Sequence, residues 1–333
     1  RADMSSVDIQ THAGVVKETK ILKALLNLEE VGKDVYRGVT QRTPWGRVFG
    51  GQVVSQALMA AGRTMPKGVL AHSLHCYFVR PGDINMPVVY TVERVRDGRS
   101  YSVRRVEAKQ GDRLLVMMMV SFQKSQDGIT HQSRMPLVAS PKESMRLARA
   151  EEERARKKGK NNHLIKLTKK PPPVQMILAP PKGRGVRAEP KRWTSEGPES
   201  RGRRSSFWTR ATDGGLGEDP FMHQCAAAYL SDYGLVDTIL KSHGISRERR
   251  IVRSASLDHA IYFHAGGFIN ANEWILYDIR SPRAGGGRGL GVGRMFTEDG
   301  RHFVTKTHAT SNAMDVFHYN YFYYHYYYHC YCY

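Results

Sequence analysis

Residues 73–78 read Ser-Leu-His-Cys-Tyr-Phe, and residues 256–263 read Ser-Leu-Asp-His-Ala-Ile-Tyr-Phe, so one short stretch occurs twice in the chain. A Gly-Arg pair follows each copy, at 98–99 and at 287–288, and an apolar segment of helical character precedes each, at 51–62 and at 224–234. The order of helix, strand, strand and strand is therefore used twice. Because a duplicated unit usually packs against its own copy, we expect a functional site at the seam between the two.

The first unit is predicted to be one buried helix wrapped by an antiparallel sheet. The helix carries apolar residues at positions 53, 54, 57, 58 and 61, which form one face at helical spacing. Strands are predicted at 69–80, 88–95, 101–109 and 114–123, because turn sequences such as Asp97-Gly98 and Gly111-Asp112 separate them. A short helix at 22–31 opens the unit. A helix followed by an antiparallel meander places the fold in the α+β class.

The second unit repeats this plan, with a helix at 222–230 and strands at 255–264, 273–280, 289–297 and 303–308. Three consecutive alanines, 226–228, allow a sheet to approach this helix closely. Gly289, Gly291 and Gly293 alternate and therefore share one face of their strand. This run matches neither a dinucleotide-binding nor a phosphate-loop pattern, so it does not predict a nucleotide site.

A basic segment lies between the two units. The formal net charge is +20, and residues 141–210 carry 20 Lys and Arg against 7 Asp and Glu. Because the excess charge is concentrated in this Pro- and Gly-rich segment, we interpret it as a solvated linker with one helix at 144–157, and we expect no nucleic-acid partner. Binding of a polyanion is the alternative interpretation. The predicted divisions are a first domain at 15–130, a linker at 131–205, a second domain at 206–310 and a tail at 311–333.

The tail is of low complexity, since residues 317–333 contain 9 of the 17 tyrosines of the chain. We interpret it as the product of a shifted reading frame; the alternative is metal capture, although the spacing fits no recognised zinc pattern. The candidate metal ligands of the tail are His318, His325, His329, Cys330 and Cys332.

The rest of the chain contains no apolar run that approaches the ~20 residues that span a bilayer. Four cysteines in 333 residues form no disulfide framework, which favours a reducing intracellular compartment.

Four longer motifs resemble the acyl-CoA thioesterase II family. They are Phe-Gly-Gly-Gln-Val-Val-Ser-Gln-Ala-Leu at 49–58, His-Ser-Leu-His-Cys-Tyr-Phe-Val-Arg-Pro-Gly-Asp at 72–83, Ser-Leu-Asp-His at 256–259 and Glu-Trp-Ile-Leu-Tyr at 273–277. The resemblance covers residues 20–130 and 205–305 and is absent after about Lys306. It implies a double hotdog fold, in which two tandem antiparallel sheets each wrap a central helix within one chain.

The resemblance also implies an activity. An acyl-CoA substrate is hydrolysed to a free fatty acid and CoA-SH by an activated water, without a metal, a cofactor or a covalent intermediate. Homo-oligomers that associate through the hotdog sheets are expected. The implied location is the peroxisome, with the cytoplasm as the alternative, because residues 331–333 are not a Ser-Lys-Leu-type address.

Three residues are expected to carry the chemistry. Asp232 is the candidate general base; from the residues alone a helix-terminal polar side chain before Gly234 is the alternative, and the resemblance favours the catalytic role. Ser256 takes the family's water-orienting position, with a structural strand serine as the alternative. The family's third residue is a glutamine nine positions after the aspartate of an Asp-Gly turn, and counting from Asp299 gives His308. Because His308 replaces an amide by an imidazole, a catalytically impaired acyl-CoA-binding protein is the alternative function.

Other residues are expected to contact the substrate at a single site, built on the second half and completed by the first. Backbone N–H groups at Gly50 and Gly51 are candidate oxyanion donors, because they open a helix. Asp258 and His259 do not predict a catalytic triad, since neighbours on a strand point to opposite faces. Four arginines are candidate contacts of the CoA phosphates, with a surface salt bridge as the alternative for each: Arg99, Arg104, Arg105 and Arg288.

Overall fold

The computed structural model describes most of the two predicted units and parts of the segment between them. The described residues are 9–11, 14–15, 21–43, 46–157, 174–182, 193–194, 197–198, 204–212, 215–243, 252–264 and 269–314. The helices are α1 (Ile21–Leu26), α2 (Gly50–Arg63), α3 (Pro141–Lys157), α4 (Pro220–Leu230) and α5 (Leu235–Lys241). The strands are β1 (Ile9–Thr11), β2 (Gly14–Val15), β3 (Glu29–Gly32), β4 (Val35–Gly38), β5 (Thr40–Gln41), β6 (Leu70–Phe78), β7 (Val88–Asp97), β8 (Tyr101–Gln110), β9 (Arg113–Gln123), β10 (Val174–Leu178), β11 (Trp193–Thr194), β12 (Gly197–Pro198), β13 (Arg204–Ala211), β14 (Val252–Ser256), β15 (Asp258–Phe263), β16 (Ile275–Gly285), β17 (Arg288–Thr297) and β18 (His302–Met314).

Thirteen of these strands form one sheet that runs through both halves of the chain. Its order is β10-β13-β16-β17-β18-β15-β6-β9-β8-β7-β4-β3, and β14 pairs with β18. In each half, the strand nearest the seam is followed outward by the next three strands of the chain in reverse order: β6 by β9, β8 and β7, and β15 by β18, β17 and β16. The duplication read from the sequence is therefore also a duplication of strand order.

The seam is formed by the repeated stretch itself. β6 and β15 pair antiparallel, with Leu74 opposite Ile261 and Cys76 opposite His259. Leu74 and Ile261 are fully buried, so the central pair of strands contributes to the core. The stretch that occurs twice in the sequence thus pairs with its own copy, and the sheets of the two halves are continuous.

The two central helices pack side by side and antiparallel, because the start of each lies at the end of the other. A Cβ atom on Gly51 would lie 2.6 Å from the carbonyl oxygen of Tyr229, and one on Gly62 would lie 2.0 Å from the ring of Phe221. Only glycine permits this approach. Residues 51–61 of α2 and 223–230 of α4 are all buried. The structure therefore confirms the predicted α+β class, with two helices enclosed by antiparallel sheet.

Some elements begin or end elsewhere than predicted. The helix predicted at 22–31 ends at Leu26, and β3 follows it as an edge strand that pairs with β4 through a turn at Asp34, whose φ is 57°. The strand predicted at 255–264 is interrupted at Leu257. The N–H of Leu257 donates to the Ala309 carbonyl, while its own carbonyl accepts from the N–H of Phe78. Before this break, β14 pairs with β18 alone; after it, β15 pairs with both β18 and β6 and so forms the seam between the two halves.

The segment predicted as a linker contains packed elements. Within 131–205, α3 begins at Pro141, and β10 pairs with β13 at the edge of the sheet. Trp208 of β13 is buried, and its indole N–H donates to the Ala139 carbonyl at 2.8 Å. The domain boundaries stay a prediction, and the tail residues proposed for metal capture lie outside the described residues. In the described part of the chain, no helix combines the length and the apolarity needed to cross a membrane.

The alternating glycines of β17 lie on its buried face. Gly289, Gly291 and Gly293 are buried, whereas Leu290 between them is exposed. A Cβ on Gly291 would lie 2.9 Å from a methyl group of Leu235 in α5, and one on Gly293 would lie 2.6 Å from the Tyr277 ring. These glycines therefore allow α5 to pack on the sheet close to the end of α4.

Candidate active site

Asp232 lies where the end of α4 meets the start of α2. It follows the helix in a turn, after the C-cap residue Ser231, and its side chain is 7% exposed. The backbone N–H of Gly51 donates to Asp232 Oδ2 at 2.9 Å. A carboxylate is stabilised at a helix N-terminus by the free N–H groups and the helix dipole. A Cβ on Gly50 would lie 2.8 Å from Oδ2, so this approach requires glycine there. The two halves thus meet at this carboxylate.

Two buried imidazoles face the other carboxylate oxygen. His259 Nδ1 lies 3.6 Å from Asp232 Oδ1, and His308 Nδ1 lies 4.0 Å from the same atom. The two Nδ1 atoms are 3.3 Å apart. β15 and β18 are neighbouring strands, so they place both rings on the side of the sheet that faces the end of α4. The arrangement is a compact cluster of one carboxylate and two imidazoles.

Ser231 fixes the orientation and the tautomer of His259. Its hydroxyl donates its single proton to the Ala228 carbonyl at 2.7 Å. The contact of 2.9 Å between Ser231 Oγ and His259 Nε2 therefore has the imidazole as donor. His259 Nδ1 is left with a lone pair directed at the cluster. The Ser231 carbonyl in turn accepts from the Tyr277 hydroxyl at 2.6 Å and from Lys306 Nζ at 2.8 Å.

Burial determines the protonation of this cluster. Burial lowers the pKa of Lys306 to about 7, and the Asp232 carboxylate opposes that shift. Burial, aided by the positive charge of Lys306, holds the pKa of His259 and of His308 well below the usual value for histidine. Both imidazoles are therefore neutral at neutral pH. The Nε2 atom of His308 is buried and has no hydrogen-bond partner among the described residues.

Ser256 and Asp258 lie on either side of the break at Leu257. Ser256 is half-buried, ends β14 and pairs with Thr310. No hydrogen bond between described residues joins its hydroxyl to Asp232, and the side chains that face the Asp232 carboxylate are His259 and His308. The Asp258 carboxylate accepts from the backbone N–H of Ala309 at 2.8 Å. Asp258 and His259 thus contact different partners, because neighbouring residues of a strand point to opposite faces of the sheet.

The four candidate arginines differ in their surroundings. Arg104 is 1% exposed; it forms an ion pair with Asp97 at 2.5 Å and donates to the Thr64 hydroxyl at 2.7 Å. Arg105 forms an ion pair with Glu93 at 3.1 Å at the surface. These contacts are those of the salt-bridge alternative. The remaining two arginines are exposed: Arg288 lies at the start of β17 and Arg99 in the turn before β8. Their contact with the CoA phosphates stays a prediction.

Comparison with known proteins assigns the family. A family model described as acyl-CoA thioesterase matches residues 185–313, and one described as the acyl-CoA thioesterase N-terminal domain matches residues 40–123. Human acyl-coenzyme A thioesterase 8 is 38% identical over 293 residues, which are 86% of this chain and 86% of the human protein. The chain belongs to the acyl-CoA thioesterase family. The first match extends to residue 313, so the resemblance continues beyond Lys306, where the sequence motifs alone did not carry it.

Solved structures agree with this assignment. An acyl-CoA thioesterase II from Mycobacterium marinum superposes with a TM-score of 0.67 at 33% identity, covering 88% of this chain and 98% of the other. A conserved protein of unknown function with a hotdog fold, from Alicyclobacillus acidocaldarius, superposes with a TM-score of 0.64 at 16% identity, covering 88% and 98%. The second likeness concerns the fold alone. Together they confirm the predicted double hotdog fold of this thioesterase family member.

Sequence reasoning missed three residues in or next to the cluster: Ser231, His259 and Lys306. One signal was available, because Lys306 and His308 are two apart on a predicted strand and must share a face. Val304 on that face is fully buried, which indicates that both polar side chains point inward. Ser231 carried no such signal, since its role depends on the contact between α4 and β15.

Proposed function

We propose that this chain hydrolyses acyl-CoA thioesters to free fatty acids and CoA-SH, with Asp232 as the general base. Family membership supports the reaction class. The observation that carries the role of Asp232 is the asymmetry of its carboxylate: Oδ2 is anchored by the Gly51 N–H at 2.9 Å, while Oδ1 faces the buried interior of the seam. An anchored carboxylate keeps its second oxygen in a fixed direction, as a base that must take a proton from one particular water requires.

The proposed reaction forms one carbon–oxygen bond and breaks one carbon–sulfur bond, transfers one proton, and has no covalent enzyme intermediate. Asp232 Oδ1 takes a proton from a water, whose oxygen attacks the thioester carbonyl carbon and forms a tetrahedral oxyanion. The oxyanion collapses, the carbon–sulfur bond breaks, and the proton held by Asp232 passes to the CoA thiolate. The products are one carboxylic acid and one thiol for each thioester and water consumed.

Donors for the oxyanion are proposed at the start of α2. The first N–H groups of a helix have no partner within that helix, and the dipole favours negative charge there. The Gly51 N–H already donates to Asp232, so the N–H of Gly50 is the better candidate. His308 is proposed as the neighbouring polar group that contacts the water or the substrate, and Ser256 as the water-orienting hydroxyl. Binding of CoA phosphates by Arg99 and Arg288 belongs to the same proposal.

A specific observation favours a second candidate, an acyl-CoA-binding protein with impaired catalysis. The residue at the family's glutamine position is His308, and its ring packs 5.2 Å from that of His259, centroid to centroid. Two imidazoles and Lys306 occupy the interior that a water beside Oδ1 would need. Binding of acyl-CoA in calorimetry, without release of thiol, would support this second function. Increased thiol release in His308→Gln would identify the histidine as the cause.

The decisive test is Asp232→Asn, which keeps the shape of the side chain and removes the base. We expect release of CoA thiol, followed with a thiol reagent, to fall by about 10²–10⁴-fold. The matched control is Asp112→Asn, in the exposed turn between β8 and β9, which should leave turnover unchanged. Circular dichroism would show that both variants are folded. Equal turnover in Asp232→Asn and the control would refute the assigned role.

Association through the sheet is proposed on the outer face of the seam. Large apolar side chains are exposed there on three neighbouring strands, although their neighbours in sequence are buried. A second copy of this chain is the proposed partner, and sedimentation equilibrium would measure it. Replacement of two of these residues by Lys should shift the protein toward the monomer. The exposed residues are Tyr77, Met117, Met119 and Tyr262.

The proposed location is the peroxisome, on the basis of the family resemblance. Fluorescence microscopy of the full chain, fused at its N-terminus to a fluorescent protein, would test this location against a peroxisomal marker. A diffuse signal throughout the cell would favour the cytoplasmic alternative.

A further inference from the structure

We propose that Asp232, His259 and His308 form a binding site for a divalent transition-metal ion, and that Zn²⁺ is the ion that fits it best. The consequence for activity rests on the proposed function: an ion held by Asp232 Oδ1 occupies the oxygen that acts as the base, so metal binding inhibits hydrolysis. The metal site itself is independent of that role and is tested separately below.

The spacing of the three donor atoms fits a tetrahedral metal ion. The three donor atoms, Asp232 Oδ1, His259 Nδ1 and His308 Nδ1, are 3.6, 4.0 and 3.3 Å apart in pairs. Zinc binds imidazole nitrogen and carboxylate oxygen at about 2.0–2.2 Å, so the ligands of a tetrahedral ion lie about 3.3–3.6 Å from one another. The triangle closes onto such an ion when each side chain moves by a few tenths of an ångström. The fourth position stays open for water.

His259 directs a lone pair toward Asp232. Because His259 donates its Nε2 proton to Ser231 Oγ, its Nδ1 faces the cluster as an electron-pair donor. A lone-pair nitrogen and a carboxylate oxygen that lie 3.6 Å apart favour a cation beside them, and in the metal-free chain that cation is Lys306, whose Nζ lies 3.5 Å from His259 Nδ1. A hydroxyl that accepts from the remote ring nitrogen is also the arrangement that orients histidine ligands in metal sites.

The neutral His308 ring carries one proton, on one of its two nitrogens. This side chain is 1% exposed, and its Nε2 has no partner among the described residues. His259 Nδ1 carries no proton, so the 3.3 Å contact between the rings has His308 Nδ1 as donor, and Nε2 then holds a buried lone pair. Metal binding at Nδ1 moves this proton to Nε2, so that the Nδ1 lone pair faces the ion. The coordinate bond then replaces the hydrogen bond to His259, and it must compensate for an Nε2–H that has no partner among the described residues.

The donor set selects the class of metal. Two imidazoles and one carboxylate suit Zn²⁺ and its neighbours among the first-row ions, whereas Mg²⁺ and Ca²⁺ prefer oxygen ligands alone. Lys306 opposes any cation, because its Nζ lies 3.5 Å from His259 Nδ1. Binding must displace this amine from the cluster. We therefore expect Lys306→Met to bind zinc more tightly than the wild-type chain.

The test is isothermal titration of the full, chelator-treated chain with zinc chloride. We expect the wild-type chain to bind one more Zn²⁺ than His308→Gln and one more than Asp232→Asn. His302→Gln is the matched control, because it removes a histidine of the same strand that stacks on Phe296 outside the cluster. The histidines and cysteines of 315–333 are present in every variant, so their contribution cancels. Equal stoichiometry in the wild-type chain and both cluster variants would overturn the proposal.

Cobalt provides a readout that does not depend on activity. Co²⁺ in a tetrahedral site has strong visible absorption, which should develop in the wild-type chain and in His302→Gln but not in His308→Gln. Inhibition is measured by the loss of thioester absorbance, because zinc binds the free thiols that a thiol-detecting assay measures. Zinc should inhibit the wild-type chain at the concentration at which this site fills.

The outcomes separate this inference from the proposed function. Hydrolysis that depends on Asp232, without the additional zinc, would leave the proposed function standing and overturn the metal site. Binding of the additional Zn²⁺ by a chain that hydrolyses no acyl-CoA under any condition would support the metal site and refute the proposed function. Hydrolysis that continues unchanged when the site is filled would refute the inhibitory consequence.

Discussion

The turn after α2 and the turn after α4 have the same frame and different chemistry. The C-cap residue after α2 is Thr64, whose hydroxyl donates to the Ala61 carbonyl, and the C-cap residue after α4 is Ser231, whose hydroxyl donates to the Ala228 carbonyl. Each hydroxyl then accepts from a buried cation or imidazole: Arg104 in the first half, His259 in the second. The next residue is Met65 in the first half and Asp232 in the second.

The same contrast continues into the sheet. Cys76 and His259 occupy equivalent positions of the repeated stretch and face each other across the seam. The strand neighbour of Cys76 is Met118, whereas His259 lies against His308. At these two sheet positions the first half thus has Cys76 and Met118 where the second has two imidazoles. Duplication set the backbone, and a few side chains decide which turn is a candidate site.

The exchange of Asp232 for the residue of the first half has the largest expected effect. Asp232→Met should abolish detectable thioester hydrolysis, a loss of at least about 10²–10⁴-fold, because the base is gone. The reciprocal variant Met65→Asp should create no activity, because that turn is lined by Ser102, Arg104 and Lys124 and not by two imidazoles. Loss of thioester absorbance with acyl-CoA measures both. Activity that survives in Asp232→Met would show that the contrast between the turns is not the basis of function.

Alanine substitutions of the glycines at the two ends of α2 are expected to affect different properties, stability at one end and turnover at the other. A Cβ at Gly62 would lie 2.0 Å from the ring of Phe221, so Gly62→Ala should lower the free energy of unfolding by about 1–3 kcal/mol through overpacking. A Cβ at Gly50 would instead press on Asp232 Oδ2 at 2.8 Å. Gly50→Ala should therefore reduce turnover more than Gly62→Ala does. Urea denaturation and thioester hydrolysis separate the two effects.

The fold was largely predictable, because it depends on local patterns. The strands of the first unit follow from alternation and turn residues, and α2 follows from its apolar face at helical spacing. β10 and β13 were missed because their stability comes from long-range packing, such as that of Trp208 on Ala139. Asp232 was found through the family motif. His259 was set aside because it was compared with its sequence neighbour Asp258, whereas its partner Asp232 comes from another element.

The two capping hydroxyls offer a sharper comparison. Ser231→Ala removes the acceptor of His259 Nε2–H, and Thr64→Ala removes that of Arg104 Nε. An unpaired buried donor costs about 1–3 kcal/mol, so both variants should lose unfolding free energy in that range. Only Ser231→Ala should also lower turnover, because it releases the ring that lies 3.6 Å from Asp232. Equal turnover in the two variants would show that the orientation of His259 does not matter.

Lys306 is the cation next to the cluster. Of the variants at this site, its replacement should have the smallest effect on the free energy of unfolding. Its Nζ donates to the Ser231 carbonyl, which keeps the Tyr277 hydroxyl as a second donor when the amine is removed. Lys306→Met therefore leaves no unpaired carbonyl and removes a buried charge that is costly to desolvate. We expect the free energy of unfolding to be unchanged or higher by on the order of 1 kcal/mol. Lys124→Met, an exposed lysine at the end of β9, should change it by less than about 0.5 kcal/mol. A large loss of stability in Lys306→Met alone would mean that the Lys306 ammonium balances the charge of Asp232. The second half would then stabilise its buried carboxylate through a buried cation.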